Sequence, residues 1–285
     1  MPSLIDLRRR IRSIKSTQQV TKAMKMVAAA KLRRAQDRVV AARPYAAMLR
    51  RVLADVAAAA RTNERLAHPL LAQRPEERIQ LVFLTADRGL AGAFNSNLIR
   101  GAQQFLAEHA GQEVRMEIVG RKGRDFFRKR GAAISGEYIG ISERVTYADA
   151  QAIAQAVSSR FAAAEVDAVY LLYNEFKSVL SQRLTLERIL PVAVPEELDN
   201  IEYLYEQPPE ELLPQLLSRY VEIQIYHALL ESAAAQQAAR MTAMDAATTN
   251  AAEMIDKLTL YMNRVRQASI TKEIIEVVSG AAAIE

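Results

Sequence analysis

The side chains that could do chemistry are few and scattered. His68, His109 and His227 are the three histidines. They fall in unrelated segments with no metal-ligand spacing between them, so surface or packing positions account for them. With no cysteine in 285 residues, disulfides, zinc–thiolate sites, iron–sulfur clusters and cysteine nucleophiles are excluded. No G-x-S-x-G elbow and no H-E-x-x-H pair occurs. The loop Gly89-Leu90-Ala91-Gly92-Ala93 follows a strand-like run and precedes a helix-like one. That is the context in which backbone amides hold phosphate. It matches neither G-x-x-x-x-G-K-[ST] nor G-x-G-x-x-G. A plain tight turn is the reading, as it is for Gly120 and Gly123. No catalytic, cofactor-binding or metal-binding residue is assigned, and the cofactor expectation is none.

Charge is more informative. Lys and Arg number 38 against 33 Asp and Glu, a net of +5. Residues 1–60 hold 14 bases and three acids, Asp6, Asp37 and Asp55. Residues 191–231 hold nine acids and one base, Arg219. Such asymmetry points to partners chosen by charge, although a basic helix can also be a solvated face. The Arg-rich, acid-poor start resembles an organellar transit peptide. Its helical pattern runs on past residue 40 without a cleavage-like break, so it is read as mature structure.

The elements that position these charges fall into three segments. In residues 3–60, Leu4, Leu7, Ile11 and Ile14 repeat at spacings of three and four. The series continues through Gln18, Thr21 and Lys25, then Ala28, Leu32, Ala35, Val39 and Ala42. That is a coiled-coil seam with a polar interruption. Ser3 and Asp6 fit an opening cap, and Pro44 predicts a kink rather than an end. Nine of ten glycines lie between Gly89 and Gly140. There, the runs 79–85, 114–120, a short stretch near Tyr138, 166–174 and 183–190 read as strands. Helical runs separate the first four, which predicts a mainly parallel α/β domain. The last run alternates polar and apolar, as an edge or half-exposed strand does. From about Glu210 to Ser279 there is no glycine. Ile223, Tyr226, Leu230 and Ala233 keep the three–four spacing, and Met241, Met244, Thr248, Ala251, Ile255, Leu258, Met262 and Val265 resume it. Gly280 is the predicted stop. Met24, Met26, Met241 and Met244 read as seam filling.

A helix of 70 residues is about 105 Å long, whereas a compact globule of the whole chain has a radius of gyration of about 19 Å. The terminal helices are therefore expected to project as an antiparallel pair. The C-terminal helix is longer by about 15 residues, or roughly 20 Å. Its excess carries Ile270, Ile274, Ile275, Val277, Val278 and Ile284. Bare apolar surface costs about 25 cal/mol per Å2, so something else should sheathe that end. The fold class is thus α/β plus a long helical coiled coil. Antiparallel N- and C-terminal helices, 1–60 and 208–285, flank an inserted Rossmann-like domain, 75–195.

Three blocks resemble a known family, the gamma subunit of F-type ATP synthases. They are TKAMKMVAAAKLRRAQ (21–36) with RPYA (43–46), LTADRGLAGAFNSNL (84–98) and RQASITKEIIEVVSGAAA (266–283). The last carries the family's I-T-x-E signature, an acid three residues on, then G-A. The resemblance spans the whole chain. It implies a non-catalytic rotor: the helix pair would be a central shaft inside a ring of alpha and beta subunits. The α/β domain would be a foot against the epsilon subunit and the c-subunit ring. The basic helix would meet an acidic helix-turn-helix of the beta subunit. The shaft would carry torque from ion flow to ATP synthesis or hydrolysis on the ring. Location at the cytoplasmic face of a bacterial plasma membrane, attached through partners only, follows from the same resemblance.

Contact residues are likewise implied by the resemblance. Met24, Lys25, Arg266, Gln267, Thr271, Glu273, Ile274 and Val278 would face the alpha/beta ring. Tyr203, Tyr205 and Glu206 would face epsilon and the c ring, with core packing as the other reading of the tyrosines. The family's photosynthetic members can carry a cysteine-bearing insertion, and a chain without cysteine has no such thiol control. Two other readings stand beside the rotor. One is a basic coiled-coil arm for nucleic acid, disfavoured by the lack of interleaved aromatics; the rotor reading expects no nucleic acid. The other is a nucleotide enzyme using the Gly89–Gly92 loop.

Overall fold

The computed structural model describes residues 3–61, 68–193 and 208–282. Helix α1 (Leu4–Arg61) is followed by a short 3-10 turn, Pro69–Leu71. Then come β1 (Arg78–Leu84), α2 (Phe94–Glu108), β2 (Glu113–Val119), α3 (Arg121–Arg128) and β3 (Ile134–Tyr138). Helix α4 (Tyr147–Ala162), β4 (Ala168–Phe176), β5 (Gln182–Leu190) and α5 (Pro209–Ala282) complete the chain. These form two compact units: Met1–Ala28 with Met241–Glu285, and Ala29–Arg240.

The larger unit contains a five-stranded sheet in the order β3-β2-β1-β4-β5. The first four strands are parallel, and β5 pairs antiparallel with β4 at the edge. Seven residues of β1, RIQLVFL, are buried except the first, as both faces of a central parallel strand must be. Phe83 packs edge-on against Phe127 of α3 at 5.5 Å, while Leu98, Phe105, Ile153, Val157 and Phe161 bring α2 and α4 into the core. Helix α4 opens with the full capping box that Thr146 and Asp149 encode. The edge position of β5 shows in its burial, which does not follow the alternation of the sequence: Leu184 and Leu186 are exposed, whereas the adjacent Ile189 and Leu190 are both buried.

The glycine turns are structural. Gly120 has φ +92°, and a Cβ there would meet the Thr85 carbonyl. Gly123 packs against Phe83 and Thr85, and its N–H donates to Thr85 Oγ1 at 2.9 Å. In the Gly89–Gly92 loop, the Ala86 N–H just upstream is taken by Asn95 Oδ1 at 3.0 Å. At Gly123 and at Ala86 the chain's own side chains occupy backbone amides.

The seam expectation for α1 is met position by position. Leu7, Ile11, Thr21, Ala28, Leu32 and Val39 are buried, and Leu4, Ile14, Gln18, Lys25, Ala35 and Ala42 are half-buried. Helix α1 continues through Pro44, as a kink rather than an end requires. On α5 the helix runs two residues past the predicted stop at Gly280, within the usual latitude of helix ends.

Candidate functional site: a helix pair and its exposed apolar end

Ser3 opens α1 as its cap. Its hydroxyl donates to Asp6 at 2.8 Å and accepts the Asp6 N–H at 3.2 Å. Further along, the polar interruption of the seam finds its partners within the same unit. Thr21 Oγ1 lies 2.8 Å from Thr248 Oγ1, and Lys25 Nζ donates to Asp245 Oδ1 at 2.6 Å. The residue numbers descend on α5 as they rise on α1, so the two helices run antiparallel here. Continuing that register, Leu4 at the start of α1 stands level with residues 265–266 of α5.

Beyond that level α5 has no helix beside it among the described residues of this unit. Arg266, Gln267, Thr271, Glu273, Ile274 and Val278 are all exposed. Arg266 has no carboxylate partner among the described residues. The Thr271 hydroxyl turns back to the Gln267 carbonyl at 2.9 Å, and Ser269 donates to Glu273 at 3.3 Å. These polar groups form a collar. Past it, Ile274, Ile275, Val277 and Val278 stand in solvent, Val277 at 72% exposure. Single exposed apolar residues are ordinary, but four within five positions make a patch.

Met24 is half-buried and Lys25 is half-buried in its pair with Asp245. The positive charge at position 25 is therefore locally neutralised. Tyr203, Tyr205 and Glu206 lie outside the described residues. The structure thus gathers Met24 and Lys25 on the paired stretch and the six α5 residues on the unpaired one.

Sequence reasoning did not single out three polar anchors. Asp245 is the first; an acid between Met241 and Thr248 on a seam was its only signal. Glu231 is the second, lodged in the alanine-rich run HALLESAAAQQAAR. It accepts the Phe176 N–H at the end of β4 at 3.0 Å and Arg43 of α1 at 3.4 Å, and its Oε1 lies 3.4 Å from His227 Nε2. Asp87 is the third, in the loop that follows β1. It accepts Ser142 Oγ at 2.6 Å, the Gly140 N–H at 3.0 Å and the Arg121 N–H at 3.1 Å. Burial pulls its carboxyl upward, but these hydrogen bonds outweigh burial and hold it below its ordinary value. The histidines do local work. His68 accepts the Leu70 N–H, His109 bonds the Phe105 carbonyl, and His227 faces Glu231. Among the described residues no group of carboxylates and histidines could hold a metal, and no helix is long and apolar enough to cross a membrane.

Comparison with known proteins covers the whole chain. A family model for ATP synthase matches residues 3–284. The ATP synthase gamma chain of Solibacter usitatus is 65% identical over 286 residues, covering 100% of both chains. That of Pelotomaculum thermopropionicum is 51% identical over 288 residues, again covering 100% of both. Among solved structures, a chain in the central stalk and c-ring structure of the Tetrahymena thermophila mitochondrial ATP synthase is 27% identical, with a TM-score of 0.63. That match covers 80% of this chain and 99% of the other. A chain of the Euglena gracilis mitochondrial ATP synthase has a TM-score of 0.71 at 18% identity, covering 99% and 94%, a likeness of fold. Seams, sheet order and full-length identity converge, and the chain belongs to the ATP synthase gamma chain family.

Proposed function

We propose that this chain is the central-stalk rotor of an F-type ATP synthase and couples ion translocation through the c ring to ATP synthesis or hydrolysis on the alpha/beta ring. Residues 1–60 and 208–285 serve as the shaft and 75–195 as the foot. The chain is non-catalytic by itself and is held at the cytoplasmic face of a bacterial plasma membrane through its partners. One observation carries the reading. The end of α5 exposes isoleucines and valines in a row, on a helix that α1 no longer accompanies. An apolar sleeve of alpha and beta subunits would cover that end. Few directional bonds would then resist turning. The collar formed by Arg266, Gln267, Thr271 and Glu273 would make and break hydrogen bonds with beta-subunit loops once per step, with Ile274 and Val278 above it in the sleeve. Met24 and Lys25 would face the same ring lower on the shaft. Tyr203, Tyr205 and Glu206 are assigned to the epsilon and c-ring contact on the family resemblance.

The test is to isolate the tagged chain gently from native membranes, weigh the particle and assay ATPase. A particle of several subunits with ATPase activity and one copy of this chain supports the rotor. A lone chain, or a salt-sensitive complex with RNA or DNA, would replace it with the nucleic-acid arm. Deleting residues 266–285 should leave the remainder folded while weakening assembly and coupling; unchanged ATP synthesis sinks the sleeve idea.

A further inference from the structure

A cavity of about 320 Å3 opens within the larger unit, between α1, α5 and the 139–146 loop. Its lining carries four cations, Lys31, Arg34, Arg38 and Arg144, against one carboxylate, Glu143. Glu143 is stretched between two of the surrounding bases, Lys31 at 3.4 Å and Arg88 at 3.3 Å. Both distances exceed the 2.7–2.9 Å of a well-made charge-assisted bond, so one acid leaves the cluster under-neutralised. Behind the lining, Arg240 is 8% exposed and donates through Nη1 to Gln237, a lining residue, at 3.0 Å. Its Nη2 has no hydrogen-bond partner. A buried guanidinium nitrogen without an acceptor is costly. Burial also pushes this guanidinium below its ordinary value.

The cavity is built rather than incidental. Asp87 pins the loop by accepting from Ser142 and the Gly140 N–H, while the Asp87 N–H donates back to Ser142 Oγ at 3.1 Å. The Arg144 N–H closes a turn on the Ile141 carbonyl at 3.1 Å. Opposite, Lys31, Arg34 and Arg38 sit at i, i+3 and i+7 on one face of α1. They span about 10 Å at ~1.5 Å per residue. A row of cations of that length matches a linear anion of several charges better than a single small ion. No aromatic ring lines the cavity, so nothing there would stack on a nucleobase.

We infer that this cavity binds a linear polyphosphate anion, either inorganic or the phosphate chain of a nucleotide, along the Lys31–Arg34–Arg38 row with Arg144 opposite. No residue of the Gly89–Gly92 turn lines the site, and binding there requires no hydrolysis. Anion binding would complete the charge balance that Glu143 leaves unfinished and would fasten α1 to the 139–146 loop.

Calorimetry on the full-length chain, without magnesium and at about 0.15 M salt to suppress loose counterion attraction, tests this. Tripolyphosphate and ATP should bind at one saturable site with equal affinity, pyrophosphate more weakly, and adenosine not at all. Arg34→Gln with Arg38→Gln should weaken tripolyphosphate at least roughly tenfold, the loss of one or more charge-assisted contacts. Arg8→Gln with Arg12→Gln, also on α1 but outside the cavity, should leave it unchanged. Far-UV circular dichroism confirms that both variants fold. Absence of saturable binding, or an equal loss in the two variants, overturns the site as diffuse attraction to a basic helix. ATP binding far tighter than tripolyphosphate overturns the base-blind reading. A glutamate-rich peptide that displaces tripolyphosphate at lower concentration than ATP does would reassign the cavity to an acidic protein segment.

Discussion

Two stretches of α5 invert the ordinary rule of burial. Between residues 232 and 239 the helix is alanine, glutamine and serine throughout, yet it is buried on almost every side. Between 270 and 278 it carries isoleucine and valine, yet it is exposed all round. Composition alone assigns the two the other way. Small side chains suit the first stretch because neighbouring elements approach closely, and each added methylene would have to displace one of them. Large apolar side chains in the second have no neighbour within the described chain. A surface that keeps its bulk while lacking a partner marks where a partner belongs.

The strongest way to break this comparison is to enlarge the buried stretch. Ala235→Leu should cost about 1–3 kcal/mol, as overpacking does. Glu231→Ala should cost a similar 1–3 kcal/mol, because the Phe176 N–H loses its acceptor in a buried site. Urea titration of the purified chain reads both. A loss under half a kilocalorie for Ala235→Leu would mean that the stretch is looser than its burial implies.

A smaller effect separates the paired stretch from both. Lys25→Met should cost no more than about 1 kcal/mol, since both side chains of the Lys25–Asp245 pair remain about half exposed to solvent. The loss should shrink as salt rises. A salt-independent loss would assign it to packing of the lysine stem instead.

The loop anchored by Asp87 sharpens the contrast from another side, because hydrogen bonds to one carboxylate, rather than apolar packing, hold it. Its carboxyl sits below the ordinary value when folded. It therefore contributes stability above the unfolded value, and that contribution is lost as pH falls through the folded one. Acid titration of the wild-type chain should show this limb, and Asp87→Asn should flatten it.

The smallest expected change is the most telling. Ile274→Ala with Val278→Ala should alter the stability of the isolated chain by less than about 0.5 kcal/mol, as exposed substitutions do. The same variant should lower ATP synthesis in the assembled complex. Equal indifference in both settings would leave the exposed stretch without a purpose.

Much of this was legible in the sequence because it is periodic. Leu7, Ile11, Ala28, Leu32 and Val39 mark a seam by spacing alone, and the run 79–85 marks a buried strand by its unbroken apolarity. The cap at Ser3 and Asp6 is a local pattern, and local patterns survive folding. The direction of β5 was not legible, since the pairing of an edge strand depends on the return path of the chain. Nor were the roles of Asp245, Glu231 and Asp87, whose partners lie far away in sequence or on other elements. Met24, Lys25 and the α5 collar were named from family resemblance. The structure adds that Lys25 is already engaged by another helix and that the collar is exposed, with hydrogen bonds only within α5.

The hydroxyl pair and the ion pair between α1 and α5 also work as a ruler. Sliding α5 by one turn, about 5.4 Å, would set Lys25 against Met241 or Thr249 and Thr21 against Met244 or Ala252. Neither alternative restores both contacts. Apolar seams tolerate such slips because one leucine resembles the next, whereas these two rungs do not. The length of α5 that extends past Leu4 is thereby fixed to within a single turn, in a seam whose greasy positions could not measure it.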